Sequence, residues 1–134
     1  MKDAQLIVTK ALPAAAANNN TDSIDIKGGT SNVDVPAGVH VECVIPALAN
    51  LADTKKVTIH IEESDDDSTW SDVDPLGQTT VTGAGGAGSS AKTVDFALPP
   101  TLKRYVRFNQ AVDSAGGDNT ASSITYNVKT NHAD

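Results

Sequence analysis

The chain has 134 residues, a length that suits one domain, and a formal net charge of −7. That charge argues against nucleic-acid binding, which needs a basic surface to displace counterions from phosphates, and against docking on anionic lipid. One cysteine, Cys43, rules out an intramolecular disulfide framework. No apolar run approaches the ~18 residues of a membrane span. Met1 to Gln5 opens no signal-peptide core, so folding in a reducing cytoplasm is expected.

A domain of this size buries roughly two thirds of its unfolded surface and needs no staples. Much of its 39% hydrophobic content is alanine, and the aromatics are Trp70, Phe96, Tyr105, Phe108 and Tyr126. The core must therefore rest on Val, Ile and Leu.

In chain order, Gln5 to Lys10 reads as a short β-branched strand. Ala14 to Ala17, between Pro13 and Asn18-Asn19-Asn20, is too short and too punctuated for more than one helical turn. Residues 1–20 are expected to form a partly flexible N-terminal arm. Thr21 to Lys27 alternates, with Ile24 and Ile26 on one face and Ser23 and Asp25 on the other. Gly28-Gly29 and Pro36-Ala37-Gly38 are turns. Val39 to Ile45 puts Val39, Val41 and Cys43 on one side, which predicts a buried, reduced thiol. Ala47 to Leu51, after Pro46, is a candidate for a short turn of helix.

Lys56 to Glu63 alternates most cleanly: Val57, Ile59 and Ile61 against Thr58, His60 and Glu62. The acidic run Glu62 to Ser68 follows. Its carboxylates Asp65, Asp66 and Asp67 could in principle bind calcium, but the run lacks EF-hand spacing and glycine, and a solvated turn is expected. Trp70 then either closes one end of the core, the expected placement, or stacks on a sugar. After a turn at Pro75-Leu76-Gly77, strands are predicted over Gln78 to Thr82, Lys92 to Leu98, Arg104 to Val112 and Ser122 to Thr130. The glycine-rich Gly83 to Ser90 cannot bury apolar area and should be mobile or pinned by a partner. Ser114 to Asn119 has the same character at smaller scale. Pro99-Pro100 forbids regular pairing and forces a corner. Beyond it, Val106, Phe108 and Val112 face one way and Tyr105, Arg107 and Asn109 the other; Arg107 either pairs with a carboxylate across the sheet or stays an exposed contact. The whole predicts an all-β, single-domain, jelly-roll-like β-sandwich of about eight strands over residues 1–134.

No catalytic, cofactor-binding or metal-binding residues are predicted. His40 and His60 alternate with inward residues, and His132 lies in the C-terminal tail. Cys43 sits where thiols are inert. No Gly-x-Ser-x-Gly elbow, zinc pattern or phosphate loop is present.

Several local patterns nevertheless converge: Asp3-Ala4-Gln5; Thr21 to Ile26 with Gly28-Gly29; the strand Val57 to Ser64 leading into Trp70-Ser71-Asp72-Val73; and Leu98-Pro99 with Arg104-Tyr105-Val106-Arg107-Phe108. Together they resemble the small capsid cement proteins of tailed phages, the group typified by the Bordetella phage decoration protein family. The resemblance implies a jelly-roll-like protein, made in the host bacterial cytoplasm, that oligomerises (often as a trimer). It would bind the major capsid protein on the outer surface of the assembled head and stabilise the shell. On charge and the lack of a catalytic constellation, no enzyme activity, nucleic-acid partner or membrane partner is expected. The alternative is a carbohydrate-binding or adhesin-like module using Trp70, Tyr105 and a calcium at Asp65 to Asp67.

Overall fold

The computed structural model describes residues 7–25, 39–73, 78–98 and 102–130. The predicted turns at Gly28-Gly29, Pro36-Ala37-Gly38 and Pro75-Leu76-Gly77, the Pro99-Pro100 corner and His132 lie outside them. Among the described residues, ten strands form two antiparallel sheets. They are β1 (Ile7–Ala11), β2 (Asn18–Asn20), β3 (Ile24–Asp25), β4 (Val39–Ile45), β5 (Lys56–Ser64), β6 (Ser71–Asp72), β7 (Gln78–Thr82), β8 (Lys92–Ala97), β9 (Tyr105–Val112) and β10 (Ser123–Thr130).

Sheet A runs β1-β10-β4-β8. Sheet B runs β2-β9-β5-β6, with β3 beside β9 and β7 beside β5. β2 and β3 line the same edge of β9, and β6 and β7 the same edge of β5. Counted as two interrupted strands, they leave eight strand positions. Most connections then cross from one sheet to the other, which is the winding of a jelly roll.

Hydrogen bonds run through the first interruption and up to the start of the second. Between β2 and β3, Thr21 N–H donates to Phe108 O at 2.9 Å, and its Oγ1 accepts from Phe108 N–H at 3.0 Å. Beside β6, Val73 N–H reaches Ile61 O at 2.9 Å. These bonds satisfy backbone groups that a break in the ladder would otherwise orphan.

The core lies between the inner faces. β4 gives Val41, Cys43 and Ile45, and β10 gives Ile124, Tyr126 and Val128; opposite them stand Val57, Ile59 and Ile61 of β5 and Val106, Phe108 and Val112 of β9. Phe108 and Tyr126 stack across the gap with centroids 4.2 Å apart and planes within 7°. Leu12, Leu48, Leu51 and Leu102, from the connections, are buried as well. The expected Cys43 burial holds.

Residues 7–20, within the stretch expected to be a flexible arm, are an integral part of both sheets. β1 pairs with β10 over five positions and β2 pairs with β9 over three. Between them Ala16 takes a left-handed turn (φ 65°), and its N–H bonds Val112 O at 3.0 Å. The physical reason is a buried polar network. Gln110, wholly buried on β9, donates from Nε2 to Ala11 O (3.1 Å) and Asn19 Oδ1 (3.0 Å) and accepts from Tyr126 Oη. Polar partners, not apolar alternation, hold the crossing. Ala47 to Leu51 forms a turn, not helix.

Candidate functional site

The outward residues of β9 are Tyr105, Arg107, Asn109 and Ala111, all half-buried, alternating with a fully inward set. Register with the neighbouring strands turns this alternation into rows across the outer face of sheet B. One row is Asp72, Glu62 and Arg107; the next includes His60, Asn109 and Asn20; a third holds Thr80, Thr58, Ala111 and Asn18.

The first row carries the most chemistry. Arg107 Nε donates to Glu62 Oε1 at 2.7 Å, and the guanidinium lies 4.3 Å from the centre of the Trp70 ring. Trp70 is therefore half-buried on the outside of sheet B, not at the end of the core. This corrects the sequence expectation, and the reason is local. Trp70 follows a turn that folds back over β5, where the flat cation offers the indole face a partner. Arg107 does pair with a carboxylate across the sheet. A similar group lies alongside: Arg104 bonds Asp25 Oδ2 through Nε (3.1 Å) and Nη2 (2.9 Å), with its guanidinium 4.7 Å from the Tyr105 ring centre. The Asp25 carboxylate raises the Arg104 pKa further. Both arginines of the chain are thus neutralised by carboxylates on this face.

In the second row, Asn109 Nδ2 donates to Asn20 Oδ1 at 2.9 Å and to Asn18 Oδ1 at 3.3 Å. His60 stands beside Asn109 in the register, facing outward as predicted.

The acidic turn closes on itself. Asp66 Oδ1 accepts from Thr69 N–H (2.9 Å), Ser68 N–H (3.0 Å) and the Ser64 hydroxyl (2.9 Å). Those donors, the Thr69 N–H foremost, hold the Asp66 carboxyl below the usual range. Among the described residues no group of three or more His, Cys, Asp or Glu is placed to hold a metal ion.

Outside sheet A the character differs. His40 Nδ1 pairs with Asp95, Asn127 Nδ2 with Glu42 Oε1, and Thr9 with Thr125. The exposed large apolar side chains among the described residues, Ile7 and Val44, lie here. Burial pushes the Cys43 thiol up to about 12 against the opposing charge of Lys92, far from a reactive thiolate.

The glycine-rich loop is pinned by its own chain. Leu48 and Ser89 form a β-bridge, Gly83 bridges Asp53, and Gly86 N–H donates to Asp53 Oδ1 at 2.8 Å. Gly88 has φ +75°, and a Cβ there would lie 1.8 Å from Leu48 O. The 113–120 loop is locked onto the same segment: Ala52 N–H bonds Gly116 O, and a Cβ on Gly117 (φ +88°) would lie 2.2 Å from Asn50 O. Glycine here serves close backbone approach, not mobility. On the open side between β7 and β8 lies a groove of about 310 Å³, crossed by Lys92 Nζ, which donates to Thr80 O at 3.3 Å.

Compared with known families, the sequence matches the Bbp16 family model over residues 3–128. The chain belongs to the Bbp16 family. Bbp16 is a phage protein family, so the resemblance drawn from the sequence holds, and membership supports a phage structural protein. No curated protein sequence matches the chain. Among solved structures, this Bbp16 chain is similar to the PBSX exported protein XepA, at 19% identity and a TM-score of 0.57, over 98% of this chain and 39% of that one. It thus spans about two fifths of XepA's length. It is also similar to a non-crystalline cellulose specific carbohydrate-binding module, CBM28, at 12% identity and a TM-score of 0.51, over 94% and 73% of the two chains. At such identities the likeness is one of fold.

Proposed function

We propose that this Bbp16 protein is a capsid decoration protein that binds the outer surface of the assembled phage head and stabilises it. The observation that carries the reading is family membership over almost the whole chain. The structure adds support of a physical kind. The loops at one pole are braced by glycines in close contact with neighbouring backbone, and a rigid module loses little entropy on docking.

The partner is the major capsid protein, and the active form is a homo-oligomer, a trimer for preference. Closed cyclic assembly hides edge strands that a lone sandwich exposes, and linked copies turn weak contacts into firm attachment. Binding to the assembled lattice but not to free subunits then stabilises the shell by mass action. This reading calls on no calcium at Asp65 to Asp67; within the turn, Asp66 Oδ1 already accepts three hydrogen bonds. The fold likeness to CBM28 keeps a carbohydrate-binding role in view at the level of fold alone.

Two measurements test the proposal. Light scattering after size exclusion should give a small multiple of 13.8 kDa. Heads lacking the protein should break at lower temperature and recover when it is added back. A monomer that neither binds heads nor changes their melting would end the proposal.

A further inference from the structure

The geometry points to the outer face of sheet B as a binding site for a neutral polysaccharide, formed by Trp70, Arg107, Asn18, Asn20, Asn109 and His60. This goes beyond shell stabilisation and does not depend on it. Three observations carry it.

The first is charge. Arg104 and Arg107 are each paired with a carboxylate, and Asp72 stands in the Arg107 row. The face therefore holds no uncompensated arginine for a phosphate, sulfate or uronate, and the chain's net charge of −7 repels anions generally. Lys56 also lies on this face of β5, beyond the amide rows, so the balance of charge disfavours polyanions and suits an uncharged ligand.

The second is pre-organisation. Asn109 spends both Nδ2 hydrogens on Asn18 and Asn20. That fixes all three amides and leaves the Nδ2 groups of Asn18 and Asn20 without a partner among the described residues. Donors held still before binding lose little entropy when a hydroxyl reaches them. Vicinal hydroxyls of a pyranose, each both donor and acceptor, suit such a row of amides beside the His60 imidazole.

The third is the indole. Trp70 is the sole tryptophan, and it sits half-buried beside these rows rather than in the core. Its ring is fixed by Arg107 on β9, so it offers an immobile indole surface against which the C–H face of a sugar ring can stack. The outer face of sheet A has neither an aromatic ring nor an amide row among its described residues.

The test uses the intact chain. Affinity electrophoresis in native gels containing hydroxyethylcellulose, dextran, mannan or soluble starch, with alginate as the anionic control, is run beside fluorescence titration of Trp70. At least one neutral polymer should slow migration and shift Trp70 emission saturably, while alginate does neither. Asn109→Ala should weaken that binding about tenfold, the loss expected when a fixed hydrogen-bonding pair is removed. His60→Ala should weaken it too, and both variants should keep the native circular dichroism spectrum. The inference is overturned if no neutral polymer alters either signal, if alginate alone binds, or if Asn109→Ala and His60→Ala both bind undiminished. Capsid binding, measured separately, is unaffected by any of these outcomes.

Discussion

Tyr126 Oη donates to Gln110 Oε1 at 2.7 Å, and both side chains are fully buried. Tyr126 is on sheet A and Gln110 on sheet B, so this hydrogen bond spans the core. Gln110 also holds Ala11 O and Asn19 Oδ1, which extends the link to the first connection between the sheets.

Tyr126→Phe should therefore destabilise the fold by about 1–3 kcal/mol, because it leaves Gln110 Oε1 buried without a donor. Gln110→Leu should cost more, since it leaves Tyr126 Oη without its acceptor and removes one donor each from Ala11 O, which keeps Asn19 Nδ2, and from Asn19 Oδ1. The double variant should fall short of the sum, which urea unfolding of the four proteins will read as a coupling energy.

Cys43 and Tyr126 are cross-strand partners in the core, and burial is the main cause raising both pKa values. Cys43 moves from 9.0 to about 12. The unfolded chain releases that proton near 9 and the folded chain near 12. Between those values the unfolded state binds fewer protons, so stability is complete below pH 9 and falls as pH rises. The slope is at most about 1.4 kcal/mol per pH unit for the thiol, and Tyr126 steepens it at higher pH. Urea midpoints across this window should decline, and Cys43→Val should flatten the decline at its onset. Rapid modification by a thiol reagent in native neutral buffer would contradict the burial.

Two glycines of the 83–90 loop give a paired test. At Gly88 a methyl group would collide with Leu48 O, whereas at Gly85 (φ +65°) nothing lies within 4 Å of the added carbon. Gly85→Ala should cost only the left-handed strain, about 1–2 kcal/mol. Gly88→Ala adds a backbone displacement to the same strain and should lower the melting temperature markedly more. Equal effects would mean that the loop is not held against residues 48–53.

The acidic turn should be insensitive to calcium. Asp66 is the hub of three internal hydrogen bonds, and its carboxyl is held low by them. Its contribution is present above the ordinary carboxylate pKa and is lost as pH falls through the lower folded value. Asp66→Ala should weaken the seating of Trp70, visible as a red shift in its emission, and calcium should leave the melting temperature of the parent protein unchanged.

Where apolar residues alternate, the sequence was a sufficient guide. Val57, Ile59 and Ile61 announce β5, and Val106, Phe108 and Val112 announce β9, because period two with a buried face has few alternatives. The inward Gln110 is the exception within β9. Asn18 to Asn20 carries no such signal: three asparagines are poor strand formers, and they pair with β9 because Asn19 and Gln110 satisfy one another. Trp70 was misplaced for a related reason, since only the fold reveals that Arg107 stands under the turn. The amide row of Asn18, Asn20 and Asn109 joins residues about ninety positions apart, a juxtaposition that spacing along the chain cannot express.

The position of β10 between β1 and β4 bears on how the chain reaches this state. Ile7 has Asn127 as its register partner, and the far edge of β10 is where β4 pairs. During synthesis, therefore, β1 and β4 both wait for residues 123–130 before sheet A can close. Folding of this kind is dominated by pairings distant in sequence, which slows it relative to helical proteins of equal size. The nascent chain carries the unpaired first strand until the tenth is made, so removal of β10 should cost the cell soluble protein and not merely one strand of the sheet.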